Sequence, residues 1–140
     1  MSISQPFRQR IRNTANYRCG YCQTQERVSG IPLTIEHLIP VALGGSDQEA
    51  NLWLSCRHCN EAKAIQVNAT DHESETVVAL FNPRTQLWSE HFKWDQSQTR
   101  MIGLTAIGRA TIVALQLNDE FRIKSRAIWV EANLHPTDED

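Results

Sequence analysis

The stretch LTIEHLIPVALGG, Leu33 to Gly45, carries a Glu-His pair at the centre of an apolar run that stops at Pro40 and two glycines. Its apolar and β-branched residues predict a strand, in which successive side chains point to opposite faces. Glu36 and His37 therefore cannot both be ordinary solvent-facing residues. Whichever side chain points inward needs a partner.

Two cysteine pairs flank this stretch, Cys19-x-x-Cys22 and Cys56-x-x-Cys59. Each spacing lets a tight turn direct two sulfurs at one tetrahedral ion at about 2.3 Å, and four thiolates leave no position open for water or substrate. The pattern predicts a closed structural zinc site, with two disulfides or four unrelated buried cysteines as the alternatives. The 33 residues between the pairs exceed the roughly 15 to 20 of a simple zinc ribbon.

Length and composition predict one domain with an extension, because 140 residues are too few for two ordinary domains. The apolar content of 41% is ordinary for a soluble protein. The basic N-terminal segment lacks the apolar core of a secretion signal, which predicts a cytoplasmic location. The net charge of -2 gives no overall basic field, so it permits a nucleic-acid partner without predicting one.

The remaining pattern predicts an α+β class. A short helix is expected from Pro6 to about Tyr17, and NLWLSCRHCNEAKAIQ is expected to be a turn that leads into a helix from about Cys59. Thr70-x-x-Glu73 resembles a capping box that opens a helix ending before Asn82-Pro83, although TVVALF could equally be a strand.

Further along the chain, SEHFKWDQSQTRMIGL predicts a hairpin that turns near Asp95 to Gln98. Two helices are expected after it, from Thr105 to about Asn118 and from about Asp119 to Ala132. The tail PTDED is expected to be a frayed acidic end. We predict a core of residues 1–68 that includes the N-terminal helix, and an extension of residues 69–140 packed on the same domain.

The fragments EHLIP, GG, NL and CRHCNEAK follow one another between Cys19 and Lys63. In this order and spacing they resemble the zinc-containing HNH endonucleases. The resemblance implies a ββα-metal core, and it identifies this chain as an H-N-N variant because Asn60 stands where other members have His. It covers less than half of the chain.

The resemblance implies a role for each matched residue. His37 would be the general base that activates water, and Glu36 and Asn60 would bind a divalent cation. An amide oxygen at position 60 would favour Mg²⁺ or Mn²⁺ over zinc. Asn51 would brace the loop that orients His37. Phosphate contacts are expected from a basic and backbone set comprising Arg18, Arg57, Lys63 and Gly45.

The resulting hypothesis is a metal-dependent endonuclease of DNA. RNA is compatible with the same chemistry, since a scissile phosphate carries little sugar information. A single site predicts nicking, and a homodimer or a partner protein could supply target recognition. The alternative is a zinc-clamped module that binds nucleic acid or protein and cuts nothing. Taken singly, His37, Asn51 and Lys63 are also ordinary core, turn and surface residues.

Overall fold

The computed structural model describes residues 3–137 and has the mixed helix and strand content that the sequence predicts. The chain forms two compact units. The first runs to Val67 and also includes Phe81–Trp88, and the second comprises Asn68–Leu80 and the chain from Ser89 onward. The acidic end predicted for the tail lies largely outside the described residues. Within residues 3–137 no helix has the length and apolar character needed to span a membrane.

The first unit is built on a hairpin followed by a helix. Strand β1 (Thr34–His37) pairs antiparallel with β2 (Leu52–Ser55), and helix α3 (Arg57–Lys63) follows directly. The register places Glu36 opposite Trp53 and His37 opposite Leu52. Helix α1 (Gln5–Thr14), the short helix α2 (Glu26–Ser29) and two 3-10 turns, Val41–Leu43 and Glu49–Asn51, complete the unit.

The prediction for residues 51–66 was wrong in two respects. Leu52–Ser55 is a strand rather than a turn, because Leu52 and Leu54 alternate into the core and are fully buried. The helix begins at Arg57, not at Cys59, because Cys56 is its N-cap and the Cys56 sulfur accepts a hydrogen bond from the backbone N–H of Cys59.

Helix α1 is fixed to the hairpin by its buried residue Ile11 and by one ion pair. Arg12 pairs with Glu26 and donates to the Leu33 carbonyl at 3.1 Å, while Glu26 accepts from the Leu33 N–H at 2.8 Å. This small network satisfies both backbone groups of the residue that precedes β1. The start of the strand is therefore held in register with α1 and α2.

The segment Phe81–Trp88 also belongs to the first unit. Arg84 donates from Nε and Nη2 to the Leu52 carbonyl, at 3.0 and 2.9 Å, and the Trp88 indole donates to the Tyr21 carbonyl at 2.8 Å. The ring of Phe81 meets Tyr21 edge-on. Through these contacts a part of the chain far away in sequence covers the first residue of β2 and the first cysteine turn.

The second unit begins with a hairpin where the capping-box pattern predicted a helix. Strand β3 (Asn68–Asp71) pairs antiparallel with β4 (Thr76–Ala79). The helix prediction was wrong because Asp71, not Thr70, accepts the local hydrogen bonds: its carboxylate takes the N–H groups of Glu73 and Ser74 and forms a turn. The strand reading of the TVVA residues was correct.

The rest of the second unit follows the predicted order of a hairpin and two helices, except that residues 89–91 are helical and that the first of the two helices ends at Ala114, four residues before its predicted end. Strands β5 (Phe92–Trp94) and β6 (Met101–Gly103) form the expected hairpin. Helix α4 (Trp88–His91) precedes it, and helices α5 (Ala106–Ala114) and α6 (Glu120–Glu131) follow it. The buried side chains include Phe92, Met101, Ala110, Leu115 and Leu117.

Asp71 joins the β3–β4 turn to α5 through a paired hydrogen bond. Arg109 donates from Nε to Oδ1 at 3.0 Å and from Nη2 to Oδ2 at 2.9 Å. Arg109 and then Ser74 hold the pKa of Asp71 well below its usual range. The stabilisation is therefore complete only above about pH 5, roughly one unit above the ordinary Asp pKa of about 3.9, and it is lost progressively as the pH falls from there through the lower folded-state pKa.

We expect Asp71→Asn to remove this pH-dependent component of stability. The wild-type free energy of unfolding, measured by urea titration between pH 5 and pH 3, should fall more steeply with acid than that of the variant. Glu75→Gln, which changes an exposed acid of the same turn, is the control and should keep the wild-type slope. Parallel curves for wild type and Asp71→Asn would contradict the assignment.

Candidate metal centre and active site

The four cysteines converge on one point. Their sulfur atoms all lie within 4.8 Å of one another, and none is in a disulfide. Four sulfurs about 2.3 Å from a tetrahedral ion are spaced roughly 3.8 Å apart, and Cys22 Sγ lies 3.7 Å from Cys56 Sγ. The cluster therefore has the donor set and the spacing of a structural zinc site, as the sequence predicts.

Backbone geometry around each cysteine pair aims the sulfurs inward. The N–H of Tyr21 points at Cys19 Sγ at 3.5 Å, and the N–H of Cys59 points at Cys56 Sγ at 3.3 Å. The first turn is joined to β2, because the Gly20 N–H donates to the Leu54 carbonyl at 2.9 Å. A Cβ at Gly20 would lie 2.5 Å from the Trp53 ring, so this turn requires glycine.

Burial governs the charge of the cluster. It raises the pKa of Cys19 and of Cys59 well above the ordinary thiol value, and the neighbouring sulfurs reinforce the effect for Cys19. Four thiolates so close together in the interior would repel one another and lose their hydration. Only a bound cation makes the ionised form favourable there, which is the condition under which thiolates act as metal ligands.

Glu36 is the inward-pointing member of the Glu-His pair. It is only 2% exposed, and among residues 3–137 the polar groups that face its carboxylate are the Lys63 ammonium and the Tyr21 hydroxyl. Its counter-charge is Lys63 of α3, itself 3% exposed, whose Nζ lies 3.4 Å from Oε1 and donates to the Leu38 carbonyl at 3.1 Å. An inward-pointing side chain was expected to need a partner. For Glu36 that partner is Lys63, one helical turn beyond Cys59.

The electrostatics of Glu36 follow from this burial. Desolvation raises its pKa, and the charge of Lys63 and the hydroxyl of Tyr21 oppose that rise. Burial also raises the pKa of Tyr21 well above its usual value, with Glu36 adding to the effect. The phenol therefore stays neutral beside the carboxylate. These three side chains form a buried polar group next to the cysteine cluster.

His37 lies on the opposite side of β1, with its side chain 24% exposed. Its Nε2 is 2.6 Å from Oδ1 of Asp47, whose side chain is 30% exposed. Asp47 was missed in the sequence analysis, since it stands ten residues away in a polar loop. The available signal was its place two residues after the double glycine, where the loop turns back toward the strand.

Asn51 crosses the loop between β1 and β2. Its Oδ1 accepts from the Ile39 N–H at 2.9 Å, and its Nδ2 donates to the carbonyls of Ile39 and Ser46 at 3.0 and 2.9 Å. Gly44 has the left-handed φ of 90°. A Cβ at Gly45 would lie 1.7 Å from the Ile39 oxygen. The two glycines thus permit the close approach that Asn51 ties together.

The residues predicted to contact phosphate differ in their exposure to solvent. Arg57 is exposed and pairs with Glu61 at 2.9 Å, so its guanidinium lies at the surface. Arg18 is 7% exposed and Lys63 is buried against Glu36, so neither reaches a phosphate as placed here. The Gly45 N–H is used within the loop, where it donates to the Pro40 carbonyl at 3.0 Å. Of the predicted set, Arg57 alone presents a donor group at the surface.

Asn60 lies on α3 and is partly exposed, and its Nδ2 is 3.4 Å from Thr34 Oγ1. The arrangement does not fit a hydrated cation shared by Glu36 and Asn60. Mg²⁺ retains several waters when bound, whereas the Glu36 oxygens are inaccessible and already face the Lys63 ammonium. Ligation by Glu36 and Asn60 stays a prediction, and it requires Lys63 to withdraw from Glu36.

Comparison with known proteins places this site in a recognised class. Residues 19–65 match the family model described as HNH endonuclease. This segment contains the cysteine cluster, both strands of the hairpin, and α3, and the match confirms the resemblance seen in the sequence. It covers about a third of the chain. No curated protein and no solved structure matches.

Zinc content tests the cysteine cluster directly. Protein purified without chelator should contain one zinc per chain by elemental analysis. Cys59→Ser should lose the metal and unfold at lower urea concentration, because three thiolates no longer close the tetrahedral shell. Ser46→Ala, which removes an exposed hydroxyl in the same unit, should retain both zinc and stability. Stoichiometric zinc in Cys59→Ser would contradict the four-sulfur assignment.

The buried pair is tested by comparing single and double variants. Glu36→Gln should destabilise the protein by roughly 3–5 kcal/mol, because it leaves a buried ammonium without a counter-charge. Adding Lys63→Met should restore a large part of that loss. The exposed pair Glu120 and Lys124 is the matched control, and Glu120→Gln should cost less than about 1 kcal/mol. Equal losses of unfolding free energy for Glu36→Gln and Glu120→Gln, measured by urea unfolding, would show that Glu36 and Lys63 do not act as a buried pair.

Proposed function

We propose that this protein is an endonuclease that hydrolyses phosphodiester bonds in DNA, with His37 as the general base. The observation that carries the proposal is the partly exposed imidazole of His37, 2.6 Å from a carboxylate, within the segment that matches the HNH endonuclease family. A histidine that is reachable from solvent and oriented by a second group has the arrangement expected of a general base.

The chemistry needs a base at the attacking water and a scaffold that holds water and phosphate in line. His37 suits proton transfer because an imidazole nitrogen can both accept and release a proton. Strand β1 and the loop braced by Asn51 hold its backbone on both sides. Arg57 offers an exposed donor for a neighbouring phosphate.

The proposed cofactors are a structural zinc ion on the four cysteines and a divalent cation, Mg²⁺ or Mn²⁺, required for activity. The cysteine geometry supports the first. The second comes from the family resemblance. When bound, such a cation would neutralise charge on the phosphate oxygens.

DNA is the proposed substrate because of the resemblance to the HNH endonucleases; the description of the matched family model does not itself name the nucleic acid. One site acts on one strand at each encounter, so a monomer should nick duplex DNA. A second candidate is a zinc-clamped binding module that cuts nothing. The inaccessible carboxylate of Glu36 favours it, since a catalytic cation lacks that ligand in the present arrangement.

Cleavage of supercoiled plasmid decides between these functions. Wild-type protein should convert it to the nicked form with Mg²⁺ or Mn²⁺ and leave it intact with EDTA. His37→Ala should lower the rate by about 10²- to 10⁴-fold, the usual contribution of a general base. The readout is the initial rate of nicking by gel.

The matched control is His72→Ala, which removes an exposed histidine from the second unit. It should nick at the wild-type rate. Both alanine variants should keep full zinc content and a wild-type DNA affinity by fluorescence anisotropy. Binding of DNA without cleavage by wild type in every cation would favour the binding module.

A further inference from the structure

Asp47 is the one acid that contacts His37 in the described part of the chain, and the loop around it is built to a fixed shape. Its Oδ1 lies 2.6 Å from His37 Nε2. The residue before it, Ser46, is tied through its carbonyl to Asn51 Nδ2 at 2.9 Å. The same amide holds the Ile39 carbonyl two residues after His37. One side chain therefore fixes both chain segments that carry the pair.

The double glycine provides the close packing that this requires. Gly44 turns the chain with its φ of 90°, and Gly45 approaches the Ile39 carbonyl so closely that a Cβ would clash at 1.7 Å. Any larger residue at position 45 would push the following residues away from β1. The distance between Asp47 and His37 is thus set by backbone contacts and not only by two surface side chains that happen to meet.

We propose that Asp47 is a positioning residue that fixes the tautomer and the ring orientation of His37, an inference that rests on the proposed function. An ionised carboxylate only accepts hydrogen bonds, so Nε2 carries the proton and donates it to Asp47. In a neutral imidazole the other nitrogen, Nδ1, is then bare. Nδ1 is the atom that accepts a proton from water.

The proton and bond changes follow from that assignment. A water molecule transfers a proton to Nδ1 as its oxygen bonds to phosphorus, and the bond from phosphorus to the leaving oxygen breaks. The leaving oxygen takes a proton from solvent, and the imidazolium later returns its own to solvent. Asp47 stays ionised throughout and lies against the positive ring while it exists. Without Asp47 both tautomers are available and the ring can rotate.

The alternative is an ordinary surface ion pair, which contributes little to any property. Two variants separate the readings. Asp47→Ala removes the acceptor from His37. Glu49→Gln changes the next acid of the same segment, which instead pairs with Arg10 at 2.7 Å and serves as the control.

The first readout is the His37 tautomer, from nitrogen-15 chemical shifts of histidine-labelled, zinc-loaded protein at a pH where imidazole is neutral. Wild type and Glu49→Gln should show His37 protonated at Nε2. Asp47→Ala should show a mixture of tautomers. Protonation at Nδ1 in the wild type, or an unchanged spectrum in Asp47→Ala, would overturn the inference. This readout needs no activity, so it decides the tautomer even if the proposed nuclease function fails.

The second readout is the rate of plasmid nicking at saturating protein, together with DNA affinity. Asp47→Ala should lower the rate by up to about 100-fold, the cost of misplacing a reacting group, and leave the dissociation constant for DNA within twofold. In a His37→Ala background the same substitution should have no further effect, because there is no ring left to position. A loss of DNA affinity that accounts for the whole defect, or additive losses in the double variant, would overturn the positioning role.

Discussion

The convergence of four sulfur atoms on one point is the constraint on which the first unit depends. Cys19 and Cys22 come from a turn after α1, and Cys56 and Cys59 come from the junction of β2 and α3. The bond from the Gly20 N–H to the Leu54 carbonyl also joins these segments, but a hairpin of four residues a strand is marginal alone in water. With the thiols protonated, the interior would hold four weakly interacting groups. A cation converts them into one crosslink, and the start of α3 is then fixed relative to β1.

Strand alternation then divides the Glu-His pair between two environments. The inward position receives Glu36, which pairs with Lys63, and the outward position receives His37, which is partly exposed beside Asp47. The spacing along α3 completes the division. Asn60 follows Cys59 directly and lies near the start of β1, whereas Lys63, one turn later, reaches Glu36. A helix anchored at Cys56 and Cys59 carries both side chains to the same strand, so the metal cluster and the buried ion pair are set by a single element.

Sequence reasoning recovered what depends on local pattern and on chemically specific residues. The cysteine cluster, the β5–β6 hairpin and the last two helices follow from spacing, turn residues and caps, such as the side chains of Thr105 and Asp119 that accept from the first turns of α5 and α6. The predictions that failed concern residues whose local preference was overridden by contacts with distant parts of the chain. Thr70-x-x-Glu73 satisfied a helix rule, but Asp71 was held by Arg109, 38 residues away, and formed a turn. Likewise, the partners of Glu36 and His37 are Lys63 and Asp47, and no local rule pairs residues that only the fold brings together.

Charge balance gives the buried pair a further role. A zinc ion bound by four thiolates has a net negative charge in a medium of low dielectric constant, and Glu36 adds another. The Lys63 ammonium compensates the charge of the Glu36 carboxylate, and that carboxylate and the buried sulfurs both help to raise the pKa of the Tyr21 phenol. A second cation placed directly beside Glu36 would have to displace Lys63 and leave this negative charge partly uncompensated. The lysine retained in the interior thus accompanies the buried carboxylate of Glu36, whereas the partly exposed His37 has the carboxylate of Asp47 as its partner.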